Sequence, residues 1–204
     1  MEEGTARYFW LRRVHSFLGF FPFSLFLIQH FTFNSFIFAG PQAFNKLVDA
    51  TQGFPLTTFL EVFLLLVPIS FHVILGFVIM YSGASNVLSY GTYRNWMYFL
   101  QRGTGFIVFP FLLYHVWMTR LQAVFTGHHV DAAYMHHYFS SPWVLTFYIV
   151  GILAAAFHMA NGLATMLITW GVTSTKRSQN AMSIASWILM VVMGGWGVRL
   201  AFAF

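Results

Sequence analysis

Four histidines in this 204-residue chain lie inside long apolar stretches, where an imidazole is unfavourable unless something binds it. They are separated by 42, 43 and 43 residues: His30, His72, His115 and His158. A neutral imidazole offers a nitrogen lone pair to a metal ion, so the spacing suggests a repeated metal or cofactor site. Its position depends on the elements that carry the four residues.

The composition predicts that these elements cross a membrane. The chain is 58% hydrophobic and only 7% charged, with a mean hydropathy of +0.69, whereas about a quarter of a soluble domain is charged. The apolar runs are too long and too unalternating for a β-barrel, and the first has no cleavage site. We therefore expect an all-α integral membrane protein, one domain over residues 1–204, with spans at about 14–38, 56–81, 96–121, 142–170 and 181–203.

Two function classes are disfavoured by composition. Cysteine is absent, which excludes disulfides, thiolate metal sites and cysteine-held iron–sulfur clusters within this chain. The sequence pI of about 9.7 does not indicate nucleic acid, because the cations flank apolar segments, where topology explains them.

The positions of the cations predict the orientation. Seven lie on the side of the N-terminus and three on the other side, which puts the N-terminus in the cytoplasm and the C-terminus outside. The seven are Arg7, Arg12, Arg13, Arg94, Arg102, Lys176 and Arg177, and the three are Lys46, Arg120 and Arg199.

Alternating helix direction pairs the four histidines by depth. His30 and His115 lie on outward-running helices and fall in the outer half of the membrane, whereas His72 and His158 lie on inward-running helices and fall in the inner half. At 1.5 Å per residue, the two pairs are roughly 15–20 Å apart.

Glycines repeat with the histidines. Gly76 and Gly162 each follow a histidine by one helical turn, in HVILG and HMANG, while Gly19 and Gly105 precede His30 and His115 by eleven and ten residues. Spans one and two therefore resemble a weak repeat of spans three and four. Small residues let a flat macrocycle or another helix approach the backbone.

The pairing favours haem over other metals. Zinc or copper would need three or four ligands at one depth, but this pattern provides two and two. Two imidazoles complete the coordination of haem iron, which then carries electrons. We therefore predict two b-type haems, with simple helix packing and a transporter with buried histidines as the alternatives.

Longer motifs carry a family resemblance. RRVHSFLGFFPFSLFLIQH, LEVFLLLVPISFH, YRNWMYFLQRGTGFIVFPFLLYHVW, SSPWVLTFYIVGILAAAFHMANGL and TWGVTSTKRSQ resemble the single-chain dihaem cytochrome b anchor of Bacillus-type succinate:menaquinone oxidoreductases. The resemblance covers nearly the whole chain and departs mainly in the loop TGHHVDAAYMHHYF. Dihaem cytochromes of hydrogenases and formate dehydrogenases share the arrangement of two haems and are the alternative family.

The resemblance implies ligands and partners. Haem ligation is implied for His72 and His158 on the cytoplasmic side and for His30 and His115 on the outer side. Also implied are a flavoprotein subunit and an iron–sulfur subunit on the cytoplasmic face, a bacterial cytoplasmic membrane, and menaquinone chemistry close to the outer haem. On this interpretation the chain is not a complete enzyme but part of a succinate dehydrogenase or fumarate reductase of the respiratory chain and tricarboxylic acid cycle.

Glu61 is the only acid inside an apolar run, near the outer end of span two. It precedes His72 by eleven residues, about 16 Å along a helix, which puts it near the depth of the outer haem. Quinone reduction takes up protons, so we interpret Glu61 as a residue that exchanges protons with the quinone; an interfacial carboxylate is the alternative.

The remaining candidates lie at the cytoplasmic ends of the helices. His15, Ser16 and Arg102 could bond the propionates of the inner haem, although topology and solvation explain them almost as well. The four histidines between spans three and four are expected in an exposed polar loop: His128, His129, His136 and His137. Span five is interpreted as scaffold.

Overall fold

Five long helices form the fold, as the apolar runs predicted. The computed structural model describes the backbone of residues 2–204 and the side chains of residues 6–204. The helices long and apolar enough to cross a membrane are Ala6–Ala39, Thr57–Ser82, Tyr93–Thr126, Pro142–Thr169 and Lys176–Ala201, called spans one to five below. Their backbone groups are satisfied within each helix, as a lipid environment requires.

Two of the spans are longer than the apolar pattern indicated. Span one continues from an α-helix at Glu2–Asn34 into a 3-10 turn at Ser35–Ala39. Span three begins at Tyr93, where the side chain of Thr92 accepts a hydrogen bond from the backbone N–H of Asn95. These ends carry polar residues, so hydropathy alone places the boundaries too far inside.

Spans two and three each contain a π-helical turn. In span two, an α-helix at Thr57–Leu60 is followed by a π-turn at Glu61–Leu66 and an α-helix at Val67–Ser82. In span three, an α-helix at Tyr93–Val116 is followed by a π-turn at Trp117–Leu121 and an α-helix at Gln122–Thr126. Such turns are rare and are concentrated at functional sites.

Two short helices occupy stretches that the sequence predicted as turns. One spans Pro41–Gln52, after Gly40, whose φ of 106° suits glycine. The other spans Ala132–Phe139, where the Asp131 side chain accepts a hydrogen bond from the N–H of Tyr134. The two short helices pack against each other on one side of the bundle. We call this the C-side; it also contains the span ends at residues 39, 57, 126, 142 and 201. The opposite side, called the N-side, contains the span ends at residues 6, 82, 93, 169 and 176.

Span four is the centre of the bundle. It packs along spans three and five and contacts span one, which also packs along span two. Its buried face is built from small residues that allow close approach: Gly151, Ala154, Ala156, Ala160 and Ala164. Spans two and three are instead bridged by long side chains, and this leaves room for polar groups between them.

Candidate functional site

The structure brings the four intramembrane histidines together in two pairs. The ring centroids of His72 and His158 are 6.1 Å apart, with the ring planes at 88°. Those of His30 and His115 are 5.7 Å apart, at 89°. The first pair lies in the N-side half of the bundle and the second in the C-side half, which is the pairing that the alternating helix direction predicted. Each site contains two imidazole donors from two different spans.

Hydrogen bonds fix which imidazole nitrogen is available in the N-side pair. Nδ1–H of His72 donates to the carbonyl oxygen of His15 at 2.8 Å, and Nδ1–H of His158 donates to that of Gln101 at 3.1 Å. A carbonyl oxygen can only accept, so the proton of each neutral ring lies on Nδ1. The lone pair is then on Nε2, free to bind a metal ion.

His115 also uses Nδ1 in the C-side pair. Its Nδ1 lies 3.2 Å from the hydroxyl of Tyr148, which can donate or accept; when the hydroxyl accepts from Nδ1–H, the lone pair is on Nε2. Tyr148 is only 3% exposed and is held among Phe111, Tyr138 and Phe139. The phenol therefore cannot turn away from the imidazole without disturbing the core.

Glycines on neighbouring spans lie directly against the N-side imidazoles. A Cβ at Gly19 would collide with the ring of His72, and a Cβ at Gly105 would come within 2.9 Å of Cε1 of His158. The sequence repeat is therefore also a repeat in space: a glycine of span one faces the histidine of span two, and a glycine of span three faces that of span four. Any side chain at either position would displace the imidazole.

A cavity lies between the C-side histidines. It has a volume of about 120 Å³ and is lined almost entirely by apolar and aromatic side chains, with His30 and His115 on its wall. An apolar group with a metal at its centre would find an apolar lining and two nitrogen donors here.

The N-side candidates for binding an anionic group already have partners in the protein. The ring of His15 stacks on that of His72, with centroids 4.1 Å apart. The hydroxyl of Ser16 donates to the carbonyl of Arg13 and accepts from Nε1 of Trp170. Arg102 donates to the carbonyl oxygens of Ile79, Met80 and Gly83 at the end of span two.

The sequence did not indicate Arg13 as a site residue, but the geometry of its side chain is suitable for binding an anionic group. Its Nη2 donates to the carbonyl of Thr169, and the guanidinium lies over the rings of Phe9 and Trp170. Its Nε is buried and has no hydrogen-bond partner among the described residues. A buried donor of this kind requires an acceptor, such as the carboxylate of a bound group.

Glu61 is paired with Arg120, a cation that the sequence placed only in the topology count. Oε2 of Glu61 accepts from Nη2 of Arg120 at 2.9 Å and from Nε at 3.0 Å. The two residues are 59 positions apart, so no local pattern reveals the pair. It joins the π-turn of span two to the π-turn of span three.

The histidines between spans three and four lie on the C-side surface. His129 pairs with Asp49 at 2.8 Å, and His136 is hydrogen-bonded to the carbonyl oxygen of Phe204. The ring of His128 packs on Tyr134, and His137 is exposed. Within residues 6–204, whose side chains the structure describes, no group of three or more histidine and acidic side chains is placed to hold a metal ion.

Comparisons with known proteins identify the family of this chain. Residues 82–196 match the family described as succinate dehydrogenase/fumarate reductase transmembrane subunit. The chain is also 39% identical, over 198 residues, to the succinate dehydrogenase cytochrome b558 subunit of Bacillus subtilis (strain 168), with 97% of this chain and 98% of that protein covered. This chain belongs to the family of succinate dehydrogenase/fumarate reductase transmembrane subunits.

Membership confirms two of the sequence predictions. The family is the one that the sequence motifs resembled. The protein is also, as predicted, a multi-pass membrane subunit of succinate dehydrogenase or fumarate reductase.

The polar network around His158 has a weak signal in the sequence. Nδ2 of Asn161 donates to Oε1 of Gln101 at 2.7 Å, and Nε2 of Gln101 donates to the carbonyl of His158 at 3.0 Å. Asn161 is 6% exposed, and a buried amide in an apolar helix must have partners. Asn161 lies three residues after His158 in HMANG, and this position is the signal by which the sequence could have indicated that it belongs to the site.

Proposed function

We propose that this chain is the membrane-anchor and electron-transfer subunit of a bacterial succinate:menaquinone oxidoreductase, with residues 1–204 forming one domain. It would bind two haems b, one by His72 and His158 and the other by His30 and His115. The name of the Bacillus subtilis relative, a cytochrome b558 subunit, supports haem b as the cofactor.

One observation carries the proposal: His72 and His158 both donate Nδ1–H to a backbone carbonyl, so Nε2 of each is left for a metal ion, and Nδ1 of His115 also has a hydrogen-bond partner, the hydroxyl of Tyr148. Ligating histidines usually have such a partner on their other nitrogen, which orients the ring. Helix packing alone would not require the same choice of nitrogen at these positions.

The residues present fit the haem group. The donor set is two neutral imidazoles in each half, the C-side cavity is apolar, and Gly19 and Gly105 allow the N-side imidazoles to lie against the neighbouring spans. When bound, two haems b would supply one-electron carriers at two depths between the partner subunits and menaquinone. Arg13, whose buried Nε has no partner among the described residues, would bind an N-side propionate, and His15, Ser16 and Arg102 would do so by exchanging the protein partners described above.

The N-side would face the cytoplasm and dock the partner subunits. We propose a flavoprotein subunit and an iron–sulfur subunit, in line with the name of the relative. Seven cations lie on this side and three on the other, which is the bias expected of cytoplasmic loops. Of the seven, Lys176 and Arg177 begin span five and are exposed, so they are accessible to an acidic docking surface.

Menaquinone would react near the C-side end of spans two and three. Reduction of the quinone to the quinol consumes two electrons, from succinate by way of the iron–sulfur subunit, and two protons. Glu61 is 37% exposed and would pass protons between the C-side water and the quinone oxygen.

The haem content of the purified complex tests the proposal. We expect two haems b per copy of this chain by the pyridine haemochrome assay, and b-type α bands that appear when succinate is added. A purified complex without these bands would contradict haem binding, and transport assays with the reconstituted chain would then test the buried histidines as an ion site.

A further inference from the structure

The ion pair between Glu61 and Arg120 leaves one hydrogen-bonding group unused on each partner. Nη2 and Nε of Arg120 both bond the same carboxylate oxygen, Oε2, at 2.9 and 3.0 Å. Oε1 of Glu61 and Nη1 of Arg120 make no hydrogen bond to any described residue. An acceptor and a donor therefore remain side by side, on side chains that are 37% and 25% exposed.

The surface around the pair is apolar. Leu64 lies three residues after Glu61, and Trp117 and Val124 lie three residues before and four residues after Arg120. All three side chains are 51–60% exposed, so the apolar surface next to the pair in sequence is open to lipid. A ligand that reaches the pair from this face would come from the lipid phase, so it would be a lipid-soluble molecule with a polar head.

Both partners lie in π-turns, Glu61–Leu66 and Trp117–Leu121. A π-turn inserts one residue into an α-helix and changes the direction in which the following side chains point, and such turns are frequent at functional sites. Two such π-turns lie at a similar depth on neighbouring spans. An ion pair at the surface does not by itself require a π-turn in either helix.

The depth of the pair is close to that of the C-side histidines. Arg120 follows His115 by five residues, about 7.5 Å along the helix. A ring bound at the pair would therefore lie within one or two helical turns of that pair of imidazoles.

We propose that Arg120 binds the quinone, with Nη1 donating to a quinone oxygen while Oε1 of Glu61 lies beside that same oxygen. The inference rests on the proposed function and adds a second residue to it. A quinone oxygen is a carbonyl that only accepts, and after reduction it is a hydroxyl that also donates. Nη1–H can donate to the carbonyl of the quinone, and Oε1 can accept from the hydroxyl of the quinol. The pair can therefore bind the ligand in both redox states.

The chemical step balances with the groups named. Two electrons come from succinate, which is oxidised to fumarate by the partner subunits, and two protons are taken up from the C-side water. One of these protons passes over Oε1 of Glu61 to the quinone oxygen held by Arg120, where the C–O double bond becomes a single bond and a new O–H bond forms. The other proton is added to the second quinone oxygen, whose C–O bond changes in the same way. In the reverse direction, the carboxylate accepts the proton of the hydroxyl.

Arg120→Lys and Arg120→Gln in the assembled complex test the inference, with a soluble menaquinone analogue as the varied substrate. Lysine keeps the charge that pairs with Glu61 but lacks the planar fork, so it cannot bond both the carboxylate and the ligand in this geometry. We expect the KM for the analogue to rise roughly tenfold or more in both variants, with a smaller change in kcat, as for a lost charge-assisted hydrogen bond. Arg199 of span five, whose guanidinium lies over the ring of Phe38 in span one, provides the matched control, and Arg199→Lys should leave the KM unchanged.

The outcomes separate this inference from the proposal on which it rests. An unchanged KM in both Arg120 variants, with a loss of kcat in Glu61→Gln, would overturn the role of Arg120 and leave that of Glu61 standing. Normal kinetics in the Arg120 variants and in Glu61→Gln would overturn both. The double variant Glu61→Leu/Arg120→Leu removes both charges together. If it assembles with normal haem content but has a raised KM, the pair binds the quinone and is not required only to hold spans two and three together.

Discussion

The phenolic oxygen of Tyr148 lies 3.2 Å from Nδ1 of His115, whereas the matching nitrogens of His72 and His158 face backbone carbonyl oxygens. A phenol can be removed by substitution and a carbonyl cannot, so this contact allows the partner of a proposed ligand to be tested directly.

We predict that Tyr148→Phe changes only the haem of the C-side pair. The imidazole would lose its hydrogen-bond acceptor and become a weaker electron donor, so one of the two midpoint potentials should rise. Release of that haem to a competing apoprotein should be about tenfold faster, the lower end of the usual effect of losing such a partner. Tyr114→Phe removes a phenol of the same aromatic cluster that does not contact His115, and it should leave both properties unchanged. Equal effects of the two substitutions would assign Tyr148 to packing.

Loss of ligands should occur in pairs. His72→Ala and His158→Ala should remove the same haem, and His30→Ala and His115→Ala the other one, because each pair of rings is about 6 Å apart. Redox titration of the four variants distinguishes the two haems by potential. A common haem lost in His30→Ala and His72→Ala would contradict the pairing.

The glycine beside His158 should be required for the N-side haem. A Cβ at Gly105 would lie 2.9 Å from the imidazole, whereas a Cβ at Gly103, two residues away in the same helix, would meet nothing within 4 Å. Gly105→Ala should therefore displace the ring, at a cost of about 1–3 kcal/mol for overpacking, and lower the occupancy of one haem. Gly103→Ala should bind both haems, as measured by the haem content per chain, and a normal content in Gly105→Ala would refute the close fit.

The orientation can be tested by labelling, because the chain contains no cysteine and single-cysteine variants react at one position. Lys176 and His137 are both exposed, on the N-side and the C-side respectively. With intact cells that produce this chain without its partner subunits, and a membrane-impermeant maleimide, we expect His137→Cys to react and Lys176→Cys to react only after the cells are opened. The reverse pattern would place the partner subunits on the other side.

Glu61→Gln should separate quinone chemistry from haem binding. The amide keeps the shape of the side chain but cannot ionise, so quinone-linked turnover should fall by roughly a hundredfold or more, the scale of lost acid–base catalysis. Both haems should bind normally, and reduction of a water-soluble dye by succinate should persist, because that reaction requires only the soluble subunits. Unchanged quinone turnover would return Glu61 to the role of an interfacial carboxylate.

Much of the fold follows from the sequence. Five apolar runs of sufficient length predict five spans, and the observed spans begin and end within a few residues of most of the predicted limits. The two helices at Pro41–Gln52 and Ala132–Phe139 were predicted as turns. Helices of this length are only marginally stable by themselves, so their sequences carry a weak signal, and it is packing against each other that holds them.

The sequence by itself determined the depth of each histidine, because every residue of a helix adds 1.5 Å along its axis and the spans alternate in direction. Only the tertiary structure decided which side chains face one another. The contact of Gly19 with His72, the hydrogen bond of Tyr148 to His115 and the pairing of Glu61 with Arg120 all depend on how each helix is rotated about its axis. That rotation is set by the packing of small residues between the spans and by the two π-turns, which no count along one helix can supply.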